Sequence, residues 1–228
     1  MMDHAHDLAC VREATDRLLT AVAALDNAAL GGPSRLPGWS RGHVLTHLAR
    51  NADALVNVLE GRPMYASTEA RDADIEKGAP RPVEVQAADV RDSAARLQAA
   101  GDAPADWTRT VELRNGVTDS ASRVPFRRWV EVALHHVDLG IGYELEDLPA
   151  EFVERVTGFL AERFSGHPGV PATRLTDGTR AWTTGRGADV PAITVTGRPA
   201  DLLGWLAGRR DGTALEAAGG ELPELPPL

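Results

Sequence analysis

Two stretches of the chain hold side chains that can do chemistry at a spacing that brings them together. In RRWVEVALHHVDLGIGYE, residues 127–144, Glu131, His135, His136 and Asp138 stand among apolar neighbours. On a helix, a step of four residues leaves two side chains only about 40° apart, whereas a step of five leaves about 140° between them. Glu131 and His135 can therefore address one metal ion, and His136 is a poor partner for Glu131. His136 and Asp138 fit better as hydrogen-bonding groups behind the ligands. In LPGWSRGHVLTHLARNAD, residues 36–53, His43 and His47 are again four apart. One imidazole from this segment, facing the Glu/His pair across a bundle, would make three protein ligands with a fourth position open. That is how catalytic rather than structural zinc is held. The same i,i+4 spacing also serves surface ion pairs. Spacing alone leaves both readings standing and does not choose between His43 and His47.

The elements that must position these residues follow from periodicity. Leu8, Val11, Thr15, Leu18, Val22 and Leu25 recur in steps of three and four and predict a long helix over 4–29. LGGPSRLPGW breaks it, and Ser40 reads as the N-cap of a second helix over 41–60. Residues 64–81 read as a loop with a short helical piece. Pro82 opens a third helix reaching residue 100, and the connector 101–122 holds a short extended segment. Pro125 opens a fourth helix over 125–143, and a fifth covers 149–164. Beyond it, β-branched and aromatic residues with an Asp177-Gly178 hairpin signal replace the helical pattern. Pro199 opens a short helix, GTALEAAGG reads as a last strand, and ELPELPPL is a Pro-rich tail. The expected fold is α+β, with a helical bundle over 1–166 and a small α/β domain over 167–228.

Composition narrows the function classes. The 228 residues are 43% hydrophobic and 25% charged, as in globular chains. A net charge of −9 does not attract a phosphate backbone, so no nucleic-acid partner is expected. No run of 18 apolar residues is present to cross a membrane, and MMDHAHDLACVREA lacks the basic-then-apolar order of a signal peptide. A cytoplasmic location is expected, and the lack of an evident apolar patch points to a monomer. Cys10 is the sole cysteine, so an internal disulfide, a CxxC pair and a thiolate-rich zinc site are excluded. In its apolar helical pattern it reads as a small buried hydrophobe. Thiol chemistry here would draw its sulfur from outside the chain, Cys10 apart.

LPGWSRGHVLTHLARNAD and RRWVEVALHHVDLGIGY resemble the two signature segments of mycothiol-dependent maleylpyruvate isomerases, and ITVTGRPADLLGWLAGR resembles their C-terminal segment. The three run in order from residue 36 to residue 210. The resemblance implies a DinB-like four-helix bundle fused to a small α/β domain, with zinc and mycothiol as cofactors. It implies His47, Glu131 and His135 as the zinc ligands, with His43 in the motif but not a ligand. It further implies Arg71 and Arg209 as partners of the substrate carboxylates; Arg81 competes with Arg71 for that role because loop lengths vary there. The implied reaction turns maleylpyruvate, an unsaturated keto dicarboxylate, into fumarylpyruvate by reversible addition of a thiolate.

Three other readings share these residues. A mycothiol S-transferase would use the same thiolate and leave it joined to the electrophile. A metal-dependent hydrolase would activate water and would want a base beside the metal. Asp53, six residues past His47 and so about 240° round the helix, points away from that role. A non-enzymatic binding protein would use DLLGWLAGR as an apolar groove, although a Trp in such a segment is more often core.

Overall fold

The computed structural model describes residues 3–187 and 191–227; residues 188–190, inside the segment read as strands, lie outside that description. Two compact units divide the chain, Met1–Tyr143 and Glu144–Leu228.

The first unit is a four-helix bundle. Its long helices are α1 (His4–Val22), α3 (Arg41–Leu59), α5 (Val83–Asp102) and α6 (Val124–Asp138). α3 packs against both α5 and α6, and α1 closes the ring against α5 and α6. Leu18, Val22, Val44, Leu45, Leu48, Val90 and Val132 fill one end of the core. Ala52, Leu55, Val58, Leu97 and Val124 fill the other. The long helix expected over 4–29 is two helices: the Asp26 carboxylate accepts from the Ala29 amide at 2.7 Å and starts the short α2 (Asn27–Gly31) afresh. α6 ends at Asp138 rather than near 143, because Gly140 and Gly142 take φ of 62° and 95°, left-handed values that stop a helix.

Between the bundle helices, the polar 64–81 segment is more ordered than its sequence suggests. α4 (Thr68–Gly78) is capped by Ser67, which accepts from the Ala70 amide at 3.1 Å, and it buries Ile75. Its last turn carries Lys77, the one lysine of the chain, on the exposed side. Glycines let α4 lie close to α3. A Cβ on Gly42 would stand 2.1 Å from the Ala79 carbonyl oxygen, and one on Gly78 would stand 2.4 Å from Thr46. The connector forms a small antiparallel hairpin, β1 (Thr110–Glu112) with β2 (Thr118–Ser120). Cys10 is half-buried rather than buried, with its Sγ 3.5 Å from His6 Nε2.

The second unit contains α7 (Ala150–Arg163), β3 (Thr173–Thr176), β4 (Ala181–Thr184), β5 (Ile193–Thr196), α8 (Pro199–Leu206) and β6 (Glu216–Ala218). The sheet order is β4-β3-β5-β6; β3 and β5 run parallel and the outer strands antiparallel to them. The Asp177-Gly178 hairpin is present, with Asp177 Oδ1 accepting from the Thr179 and Arg180 amides and Gly178 at φ 87°. The boundary expected at 166/167 assigned residues 149–164 to the bundle, whereas the division between units falls at 143/144. α7 packs on α8 and β4: Thr184 Oγ1 donates to the Ala161 carbonyl at 2.7 Å, and Trp182 lies against Gly158. No described helix is long and apolar enough to cross a membrane.

Candidate metal centre

The site starts with the way α3 begins. Ser40 accepts from the His43 amide, and His43 Nδ1 accepts from the Ser40 amide at 3.1 Å. This is a capping box in which an imidazole takes the place usually held by Glu or Gln. His43 Nε2 then faces Glu76 at 3.4 Å. One turn on, His47 is turned inward and 6% exposed. The two histidines of the motif therefore separate into a cap and a core residue.

α6 brings the other half. His47 Nε2 lies 2.9 Å from Glu131 Oε2, and His135 Nε2 lies 3.4 Å from the same oxygen. The rings of His47 and His135 meet edge-on with centroids 4.8 Å apart. The three donor atoms lie within 4.8 Å of one another. Two imidazole nitrogens and one carboxylate oxygen are the donor types zinc takes. The Glu131 side chain keeps 35% of its surface exposed while the histidines keep 8% and 13%, so the cluster opens on its carboxylate side.

Groups behind the cluster orient it. His135 Nδ1 is 2.8 Å from Asp138 Oδ2, whose side chain has no exposed surface. A carboxylate on the far nitrogen sets the tautomer of a ligating histidine and raises its basicity. Asp138 in turn accepts the Arg35 amide on its backbone oxygen at 2.8 Å. His136 points elsewhere and stacks on Tyr143 with centroids 4.1 Å apart.

The electrostatics follow from burial and neighbours. Burial pushes the His47 pKa down to about 4 against the pull of Glu131. Burial works against ionisation of Glu131 too, but the hydrogen bonds from His135 and His47 outweigh it and hold the carboxyl well below its usual range. For His135, burial again opposes charge, and the Asp138 and Glu131 bonds overcome it, so its pKa is raised. The cluster thus presents an ionised carboxylate, a neutral imidazole at His47, and at His135 an imidazole whose carboxylate neighbours favour its protonated form.

Arg71, on α4, places Nη2 3.3 Å from His47 Nδ1 and Nη1 2.7 Å from Asp72. Its competitor Arg81 is occupied elsewhere, with Nε on the Gly78 carbonyl and Nη2 2.8 Å from Asp89. Arg209 belongs to the second unit, just past α8, where Nη1 donates to the Ala207 carbonyl at 2.6 Å. Its neighbour Arg210 is held by Asp201 and, at 2.8 Å, by Glu146. Asp53 is engaged by Arg96 at 2.6 Å and Arg50 at 3.3 Å, away from the cluster. Tyr65 escaped the reading of the sequence. The Arg71 guanidinium lies 5.9 Å from its ring centroid, and burial raises its pKa so that it stays a phenol. Its segment, polar and interrupted, shows no periodicity that would have marked it.

Comparison with known proteins places these residues in context. The model described as the mycothiol maleylpyruvate isomerase N-terminal domain matches residues 11–140, and the model for the C-terminal domain of the same proteins matches residues 147–227. Two crystal structures are similar over the whole length. One is described as the mycothiol-dependent maleylpyruvate isomerase, with 28% identity and a TM-score of 0.86. The other is a histidine-to-alanine mutant of that enzyme, with 27% identity and a TM-score of 0.88. Each match covers 99% of this chain and 97% of the other. A search of curated proteins finds no match.

Proposed function

The chain belongs to the mycothiol maleylpyruvate isomerase family, and from that premise we propose that it is a mycothiol-dependent cis–trans isomerase acting on maleylpyruvate, with zinc held by His47, Glu131 and His135. The observation that carries the zinc part is the convergence of His47 Nε2 and His135 Nε2 on one oxygen of Glu131, from two different helices. Donor type, number and the open side suit a catalytic zinc.

The chemistry asks two things of the protein. Rotation about a carbon–carbon double bond is far too slow unaided. A thiolate that adds to the conjugated carbon sends the π electrons to the carbonyl oxygen and leaves a single bond. After rotation the enolate re-forms the double bond, now trans, and expels the thiolate unchanged. Zinc, when bound, supplies the positive charge that keeps the mycothiol sulfur ionised at neutral pH. This chain's own groups do the rest. Asp138 holds His135 in one tautomer, with Nε2 turned to Glu131. Arg71, beside His47 and 12% exposed, is assigned to one substrate carboxylate, where a guanidinium can pair through two parallel bonds and steady the developing negative charge. Arg209 is assigned to the other carboxylate on the family resemblance.

The test is a thiol balance. Purified protein of known zinc content is mixed with mycothiol and maleylpyruvate, and substrate absorbance and free thiol are followed together. Turnover with thiol returned, and lost when a chelator is added or mycothiol omitted, is the expected result. Thiol consumed in step with substrate would make the protein an S-transferase instead, and protein lacking zinc would end the metal assignment.

A further inference from the structure

Arg128 is the largest fully buried side chain among the described residues. It lies on α6, one turn before Glu131. Its Nη1 donates to two acceptors on α3, the Leu48 carbonyl and Asn51 Oδ1, each at 2.8 Å. Leu48 follows His47 in sequence, and Asn51 stands one turn beyond it. The bridge therefore joins the two helices within a turn of a proposed ligand on each side.

This guanidinium is a poor device for stability. Its Nε and Nη2 have no hydrogen-bond partner among the described residues, and burial pushes its pKa down to about 10, which leaves it charged at neutral pH. Unpaired buried donors cost free energy, and an apolar side chain of similar volume often serves a core at least as well. What the guanidinium adds is direction. Leu45, Leu48 and Val132 attract one another without specifying how far α6 is slid along α3. Nη1 must meet two acceptors at set distances, and a slide of an ångström or two breaks both bonds.

We propose that Arg128 is a positioning residue that sets the axial register of α6 against α3, so that His47 meets Glu131 and His135 as one metal site. The inference rests on the reading of that cluster as a zinc site. Charge alone predicts the opposite effect. A cation near Glu131 repels a dication, so losing it through charge tightens zinc, whereas losing it through register loosens zinc.

Two variants separate these. Arg128→Met with Asn51→Leu removes the bridge and both polar groups while keeping apolar volume. Arg128→Lys keeps the charge and gives up the planar fork. Zinc affinity is measured by competition with a chromophoric chelator, the metal-free melting temperature by calorimetry, and ligand geometry by the visible spectrum of bound cobalt(II). We expect a melting temperature of the double variant equal to or above wild type, zinc affinity reduced by about tenfold or more in both variants, and an altered cobalt spectrum. Unchanged zinc affinity and cobalt spectrum would overturn the inference. So would tighter zinc in the double variant with Arg128→Lys indistinguishable from wild type. Should the double variant not fold, Arg128→Lys decides by the same two readouts. Wild-type protein that takes up neither zinc nor cobalt would sink the metal reading itself, a result independent of either variant.

Discussion

At the scale of single residues, the two histidines of each motif divide by direction. His47 faces Glu131 while His43 closes a helix cap, and His135 faces Glu131 while His136 stacks on Tyr143. His47→Ala is therefore expected to abolish zinc binding, and His136→Ala to keep it, as judged by metal content after dialysis; the reverse pattern would refute the ligand assignment. Proton balance is a second test. His47 is held neutral by burial, with a pKa of about 4, whereas the Asp138 and Glu131 carboxylates raise the His135 pKa above 6.5, so that His135 is where the cluster takes up a proton as pH falls. Zinc must displace that proton. Below the raised His135 value, zinc binding should release a proton and strengthen as pH rises; above it the dependence should vanish. Calorimetric titration in two buffers of different ionisation heat measures this. Asp138→Asn removes one carboxylate that retains the proton, so the pH at which zinc is lost should move down, while affinity at high pH falls about 10–100-fold for want of an oriented imidazole.

At the scale of elements, α4 is placed by glycine rather than by greasy contact. Gly42→Ala would drive a methyl group to 2.1 Å from the Ala79 carbonyl oxygen. The gain in helix propensity, about 1 kcal/mol, is smaller than the strain of displacing backbone, so a net loss of about 1–3 kcal/mol is expected in chemical denaturation. Arg71 rides on α4, so KM should rise while zinc affinity, which depends on α3 and α6, stays. A variant with unchanged KM would disconnect α4 from substrate binding. The bundle helices were legible because caps and prolines mark their starts: Ser40 before α3, Pro82 before α5 and Pro125 in the first turn of α6. α4 was legible only as a short helical piece within a loop, because only Ile75 and Gly78 of its length are buried and no apolar stripe repeats to show its extent. Arg128 was hidden, since an arginine on a helix reads as surface until its partners on another helix are known.

At the scale of the whole molecule, the α+β order of bundle then sheet was readable from the change of period near residue 170, but the division between units was not. α7 has a helical pattern like those before it, and only its packing on α8 and β4 shows where it belongs. The proposed chemistry draws its sulfur from mycothiol, so Cys10→Ser should leave kcat and KM unchanged in the isomerase assay; loss of turnover would mean the chain supplies its own thiol. Composition adds a practical consequence. Cys10 on α1 is the only thiol, and Lys77, exposed on α4, is the only side-chain amine. A thiol-directed and an amine-directed fluorophore each find one side chain, the α-amino group apart, within the same unit. Energy transfer between them would record in real time whether the helix bearing Arg71 shifts when substrate arrives, in a protein that needs no cysteine or lysine engineered into it.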